Sequence, residues 1–424
     1  MGLRLLAVAC GGVLVFLAGY PARWPWLELF AFLPLLDAAR SARSFREAGS
    51  YGLTWALGRA LPLAVMLKGF ALPVEAAAAV LAYVLALDAL FAWSVFWMRS
   101  ARTLPFALGV AASFTAIEVV DSVLPMWGTA RSLATAWAAF PNACGLIRSW
   151  GTPAIAFVVV LVQALVVGGV RRRERHPLVV ALAALTLVAL LSVARPPPAR
   201  RALTVAAVGW GLDANRSGAE QLVSSAAKSG AKLVAFPEVT FKLTRGERAA
   251  FEAHWSRVAR EHRVWLVLPF SEPGGCANCL LVLDAAGNAR GTYAKTHLVP
   301  LAERQQPGTG ELLLFEVEGV RVGVMICQDD NFRDLARAYA RAGAELLVVP
   351  SFEGPASVAP YHFENSRLRS IENSVALLRA TAQGTSALFG PGGFSLATLN
   401  PEHEASGILI ASVPVASTRA PSLR

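Results

Sequence analysis

The sequence predicts an all-α transmembrane bundle joined to an α/β domain. Three observations predict it. The composition changes along the 424-residue chain, which is 55% hydrophobic and only 16% charged: residues 1–197 are runs of Ala, Val and Leu broken by short basic clusters, whereas residues 198–424 have the mixed texture of a soluble domain, where about a quarter of residues are usually charged. The first half repeatedly offers apolar stretches near the ~20 residues a helix needs to cross a bilayer. In the second half, short apolar runs alternate with amphipathic stretches, the pattern of strands feeding helices. The change falls at Ala194–Arg201, a stiff, basic, proline-rich linker.

Seven spans are expected in the first half, near residues 5–20, 25–38, 51–67, 74–98, 104–121, 152–170 and 177–194. The second is short. The third holds Arg59, which is expensive in lipid and is expected to face the bundle interior or a polar cavity. The fourth carries Asp88 near its middle, and the fifth ends with Glu118 and Asp121 near a membrane interface. Basic clusters fall in alternate loops: Arg4; Arg40, Arg43 and Arg46; Arg99 and Arg102; Arg171, Arg172, Arg173 and Arg175. Placing all four in the cytoplasm satisfies the positive-inside rule, with the N-terminus inside and the second domain outside. Trp24, Trp26, Trp127 and Trp150 stand at span ends, as interfacial aromatics do.

The same clusters account for much of the net charge of +10. No basic face with interleaved aromatics accompanies them, so nucleic acid is not an expected partner. The five cysteines have no framework spacing. Cys276 and Cys279 form a lone C-x-x-C with no second ligand pair, which argues against zinc and leaves a local disulfide or two thiols. Cys10 follows too short an apolar stretch for a signal segment and belongs to the first span. No metal or cofactor is expected.

In the second half, strands are expected at 203–208, 232–236, 264–269, 280–284, 321–326, 346–350 and 407–413, and helices at 217–229, 247–261, 332–342 and 361–380. Reactive side chains in such sheets commonly sit at strand C-termini. Three polar residues stand there: Glu238 in Leu-Val-Ala-Phe-Pro-Glu, Lys295 in Tyr-Ala-Lys-Thr-His, and Cys327 ending Val-Gly-Val-Met-Ile-Cys. Singly, each has an ordinary reading as a solvated loop acid, a surface lysine or a small core residue. Together they suit acyl transfer: a carboxylate as general base, a thiolate nucleophile forming a thioester, and an ammonium facing the oxyanion.

These motifs resemble the nitrilase (carbon–nitrogen hydrolase) superfamily and, within it, the apolipoprotein N-acyltransferase branch, which carries a membrane bundle before its catalytic domain. The resemblance rests on Phe-Pro-Glu238, on Tyr-Ala-Lys295 through Glu303, on Gly-Val-Met-Ile-Cys327, and on His362 through Gly384 with Arg367, Arg369, Glu372 and Arg379. It implies a four-layer αββα sandwich. It also implies catalytic Glu238, Lys295 and Cys327, with Glu303 positioning Lys295 or the base. The implied donor is a phospholipid, and the implied acceptor is the N-terminal diacylglyceryl-cysteine of a lipoprotein at the bacterial inner membrane. The family follows its Cys with an aromatic residue and a Glu; Gln328 and Asp329 stand there in this chain. Asp329 could keep the acid role with a shorter reach, and Gln328 could donate a hydrogen bond. The final membrane helix that the family usually carries is not expected after residue 407. Two other readings remain open: a membrane-tethered amidase using the same residues on another substrate, and a non-catalytic homologue that binds lipid or a partner.

Overall fold

Long apolar runs wind into helix through most of the first half, each backbone hydrogen bond being satisfied within the helix. The computed structural model describes residues 2–19, 24–69, 73–124, 127–192, 201–210, 218–300, 302–354, 359–400 and 406–415. Two compact units result, one of Met1–Leu124 with Thr129–Ala194, the other of Pro125–Gly128 with Arg195–Arg424. The linker expected at 194–201 and the domain boundary at 197/198 lie outside the described residues, apart from Arg201.

The first unit contains helices α1 (Gly2–Gly19), α2 (Glu28–Ala31), α3 (Leu33–Ser41), α4 (Phe45–Gly69), α5 (Val74–Trp97), α6 (Thr103–Val123), α7 (Ala134–Trp137), α8 (Gly145–Trp150), α9 (Pro153–Arg172) and α10 (His176–Ser192). Four of these, α1, α5, α6 and α9, are long and apolar enough to cross a membrane. They coincide with the first, fourth, fifth and sixth expected spans. The second expected span is a correction: it is not one helix but α2 and α3, interrupted at Phe32 just before Pro34. The break frees backbone groups that lipid could not satisfy. Gln163 of α9 satisfies them. Its Oε1 accepts from the Phe32 and Leu33 amides at 2.8 and 3.1 Å, and its Nε2 donates to the Glu28 and Val159 carbonyls at 2.9 Å each.

Arg59 faces inward, as its cost in lipid requires, and pairs with Asp88 of α5 at 2.7 Å. Glu118 and Asp121 are buried within the unit: Glu118 accepts from the Leu133 amide, and Asp121 from Arg131 and Tyr83. Small residues let α1 and α4 approach; a Cβ on Gly12 would collide with the Trp55 carbonyl. Trp24, Trp26 and Trp150 are exposed, whereas Trp127 is buried.

The second unit runs β1 (Arg201–Trp210), α11 (Ala219–Lys228), β2 (Leu233–Ala235), β3 (Phe241–Lys242), α12 (Arg248–His262), β4 (Trp265–Ser271), β5 (Cys279–Leu283), β6 (Ala289–Ala294), β7 (Leu314–Val317), β8 (Val320–Val324), α13 (Arg333–Arg341), β9 (Leu346–Phe352), α14 (Ala359–Asn373), β10 (Ala376–Ala382), β11 (Ser386–Phe389), β12 (Ser395–Leu399) and β13 (Ser406–Val415). The strand order is β6-β5-β4-β2-β1-β10-β9-β8-β7. Neighbours from β4 through β8 pair in parallel, flanked by antiparallel β5–β6 and β7. Among the described residues β1 and β10 pair in parallel at Trp210 with Ala382, whereas β13 pairs antiparallel with β1 along its whole length.

Side-chain alternation builds the layers. Leu203, Val205 and Ala207 of β1 join a core that continues through β8, β9 and β10. Ala206, Val208 and Trp210 point to the other face, where Val223 of α11 and Trp255 and Val258 of α12 cover them. Leu335, Ala336 and Tyr339 of α13 and Phe363 of α14 cover the β8–β10 half. The result is the αββα sandwich.

The helix expected over 361–380 is a second correction. It ends at Asn373, Ser374 turns left-handed with φ 52°, and residues 376–382 form β10. This strand is buried along its whole length, so its apolar run has no alternation to betray it. The short strands β3, β6, β7, β11 and β12 were not expected.

Candidate active site

Glu238 follows β2 on a tight turn. Its neighbour Val239 has φ 49°, a left-handed conformation that costs energy at a β-branched residue. Thr240 secures the turn by donating to the Pro237 carbonyl at 2.6 Å. Lys295 follows β6. Its amide donates to the Asn278 carbonyl at 3.0 Å, and its carbonyl accepts from the Gly308 amide at 2.7 Å. Cys327 follows β8 at the start of a short 3-10 turn, Cys327–Asn331, with φ 48°. That strained turn lifts the thiol off the strand end, as nucleophile turns do.

Glu238 and Lys295 meet directly. The Lys295 ammonium donates to Glu238 Oε1 at 2.8 Å and pairs with Glu303 Oε2 at 2.9 Å, and both Lys295 and Glu238 are buried. Asn278, at the mouth of β5, donates its amide Nδ2 to Glu238 Oε1 at 2.8 Å and to Glu303 Oε1 at 2.9 Å. Glu303 also accepts from the Val299 amide at 2.7 Å and from Gln305 at 3.0 Å. The Cys327 thiol is buried 3.8 Å from the Phe352 carbonyl, and the charges of Glu238 and Lys295 both act on it.

The electrostatics are mutually dependent. Burial pushes the Cys327 thiol up, the Glu238 carboxylate adds to this, and Lys295 and His362 offset only part, leaving it at about 11. Burial alone would lower the Lys295 pKa, but the Cys327, Glu238 and Glu303 charges raise it, so it remains an ammonium. Burial would raise that of Glu303, but Lys295 holds it below the ordinary value.

Asp329 and Gln328 lie elsewhere in the turn's hydrogen bonding. Asp329 is fully buried. It accepts from the Ile326 amide and the Tyr293 hydroxyl at 3.0 and 2.7 Å, and from the Thr296 and His297 amides at 3.1 and 2.6 Å. It thus ties the Cys327 turn to the segment after Lys295. Gln328 Oε1 accepts from Asn331 at 2.6 Å.

Behind Cys327 lies a charged cluster that the sequence motifs contain without showing how it is used. His362 Nε2 reaches the Cys327 carbonyl at 3.1 Å and Asp330 Oδ1 at 2.7 Å, and its Nδ1 reaches Glu353 Oε1 at 2.7 Å. Arg379 pairs with Glu353 and donates to Ser366 at 2.7 Å. Burial would lower the His362 pKa, but Asp330 and Cys327 raise it to about 9. Asn278 also escaped sequence reasoning. Its only signal was its place inside the C-x-x-C at 276–279, whose two cysteines form a disulfide.

Two family models match. Carbon-nitrogen hydrolase covers residues 193–421, and the apolipoprotein N-acyltransferase N-terminal domain covers residues 11–165. Over a 453-position alignment the chain is 29% identical to apolipoprotein N-acyltransferase of Gloeobacter violaceus, covering 91% of this chain and 84% of that protein. A nitrilase of Pyrococcus abyssi is 31% identical over 191 positions, 41% of this chain and 70% of the relative. Among solved structures, an amidase from Nesterenkonia sp. matches with a TM-score of 0.43 and 22% identity, covering 52% of this chain and 92% of the amidase.

Proposed function

Because the chain belongs to the carbon-nitrogen hydrolase family, we propose that it is a membrane N-acyltransferase that moves an acyl chain from a phospholipid to the N-terminal amine of a lipoprotein through a thioester on Cys327. One conjunction carries this reading: a buried acid–amine–thiol cluster in a chain whose helical half matches the N-acyltransferase N-terminal domain. A tethered amidase has no need of that half. Both substrates carry acyl chains that cost roughly 0.8 kcal/mol per CH₂ to expose to water, so a membrane enzyme avoids extracting them.

The chemistry proceeds in two halves. Glu238 takes the Cys327 proton as Sγ attacks the ester carbonyl of the donor. The tetrahedral oxyanion faces the Lys295 ammonium and backbone N–H groups after Cys327. Collapse breaks the ester C–O bond, Glu238 returns the proton to the departing alkoxide, and a thioester remains. The acceptor amine then attacks the thioester, Glu238 takes a proton from it, and that proton returns to the Cys327 thiolate as the amide forms. A thiol held near 11 needs this base at each turnover. Glu303 holds Lys295 in place.

The helical half makes seven crossings, with α2 and α3 together forming the second and residues 1–197 forming the membrane domain. The basic loops then lie in the cytoplasm and the catalytic unit on the outer, periplasmic side. The Cys276–Cys279 disulfide supports that side, since disulfides persist in oxidising compartments. The test is mass spectrometry of lipoprotein N-termini from cells with and without the gene. Loss of the protein is expected to leave diacylated lipoproteins with a free amine, restored by wild type but not by Cys327→Ala. Unchanged triacylation in the deletion, or restoration by Cys327→Ala, overturns the reading.

A further inference from the structure

Lys295 and Asn278 bridge the same two carboxylates from two sides. Lys295 binds Glu238 Oε1 and Glu303 Oε2, and Asn278 Nδ2 binds Oε1 of both. The four side chains close a ring in which two carboxylates share one ammonium and one amide. Both donors to Glu238 land on Oε1, and Oε2 accepts no hydrogen bond among the described residues. A base that must take a proton from a thiol and later from an amine needs one oxygen fixed and one oxygen unspent. The ring supplies both.

Asn278 is itself held on both sides. Its carbonyl accepts from the Lys295 amide at 3.0 Å, so it is tied to the backbone of one catalytic residue and to the side chain of another. It lies between Cys276 and Cys279, which form a disulfide. Cys279 is buried in β5 and paired with Phe270 of β4 and Ala294 of β6. The disulfide therefore ties the loop that leads into Asn278 to the first residue of the central strand of a three-stranded ladder. On its other side the loop meets residues 273–275, which are exposed. Asn278 Oδ1 is buried without a donor among the described residues, so the side chain's hydrogen bonding is directed at the two acids.

We propose that Asn278, clamped by the Cys276–Cys279 disulfide, is a positioning residue that locks Glu238 through Oε1 and presents Oε2 as the base. This rests on the assignment of Glu238, Lys295 and Cys327 given above. Reducing the disulfide loosens the loop, and the base loses alignment while substrate binding is untouched.

The experiment uses the full chain in phospholipid vesicles, with a diacylglyceryl-cysteine peptide as acceptor and the vesicle phospholipid as donor. Acyl-enzyme on Cys327 is followed by mass spectrometry and turnover by product formation. Asn278→Ala is expected to lower kcat about 10²-fold, the usual scale for a misplaced catalytic group, with KM within twofold. Asn278→Asp is nearly the same size but sets a third carboxylate against two others, so it is expected to fall further than Asn278→Ala; a residue that only fills space predicts the opposite order. Dithiothreitol passes two electrons and two protons to the disulfide, giving two thiols and the cyclic oxidised reagent. It is expected to slow the wild type severalfold, reversibly on reoxidation, and to leave Cys276→Ser/Cys279→Ser unchanged. Reduction and reoxidation of the wild type themselves involve no substitution that could misfold. Wild-type kcat in Asn278→Ala overturns the proposal, and a reduced wild type as fast as the oxidised one removes the disulfide from it. Absence of any acyl adduct on wild-type Cys327 instead sinks the thioester reading itself, a separate result.

Discussion

At the residue scale, the site is a set of buried charges that depend on one another. His362 and His297 show how this reaches stability. Burial works against the charged form of each, but Asp330 and Cys327 raise His362 to about 9, and Asp329 and Asp334 raise His297 to about 9. An unfolded histidine titrates near 6.5. Between these values the folded protein binds more protons than the unfolded chain. The stabilisation is therefore complete below about pH 6.5 and is lost as pH rises through about 9. The thermal midpoint of the full chain in detergent is expected to fall over that window. His362→Gln is expected to lower the midpoint at pH 6 more than at pH 9.5; an equal loss at both would show that the charge of His362 contributes nothing. Glu238 and Cys327 stand out in the sequence because each follows or ends an apolar run that reads as a strand, whereas Lys295 stands out by its Tyr-Ala-Lys-Thr-His motif, since β6 before it carries no such signal. Asp330, Glu353 and Asn278 do not. Nothing local distinguishes an acid that caps a histidine, or an amide that joins two glutamates, from an ordinary loop residue, because partners such as Glu238 for Asn278 lie 40 positions away in the chain.

At the element scale, periodicity located α11, α12 and α13 and the strands around the site to within a few residues, because each presents one apolar face or one buried run. It failed at β10, where burial on both faces erases the alternation that separates strand from helix. It failed again at the second span, where Phe32 breaks a helix that hydropathy reads as continuous. That break depends on Gln163. Gln163→Leu keeps the side chain's bulk but strands the Phe32 and Leu33 amides and removes a donor from the Glu28 carbonyl. Each stranded group costs about 1–3 kcal/mol. The expected outcome is a lower thermal midpoint in detergent with little change in KM for enzyme that remains folded. A midpoint within a degree of wild type would mean that other groups satisfy the break.

At the scale of the whole molecule, the orientation is open to labelling. In a background carrying Cys10→Ser, Lys228→Cys on the exposed end of α11 is expected to react with an impermeant maleimide in intact spheroplasts. Arg173→Cys, in the loop between α9 and α10, is expected to react only after lysis. The reverse pattern would put the catalytic unit in the cytoplasm and remove the lipoprotein reading with it.

The sandwich also brings the two halves of the sheet to one site. Glu238 and Lys295 stand on the β1-β2-β4-β5-β6 half, and Cys327 on the β7-β8-β9-β10 half. β1 and β10 join the two halves in parallel, and β13 runs antiparallel along the full length of β1. Residues 406–415 are thus laid down late in synthesis yet lie against the first strand of the domain. The first and last described strands of the domain are therefore neighbours, and β1 is flanked along its whole length only once the chain has come back to it.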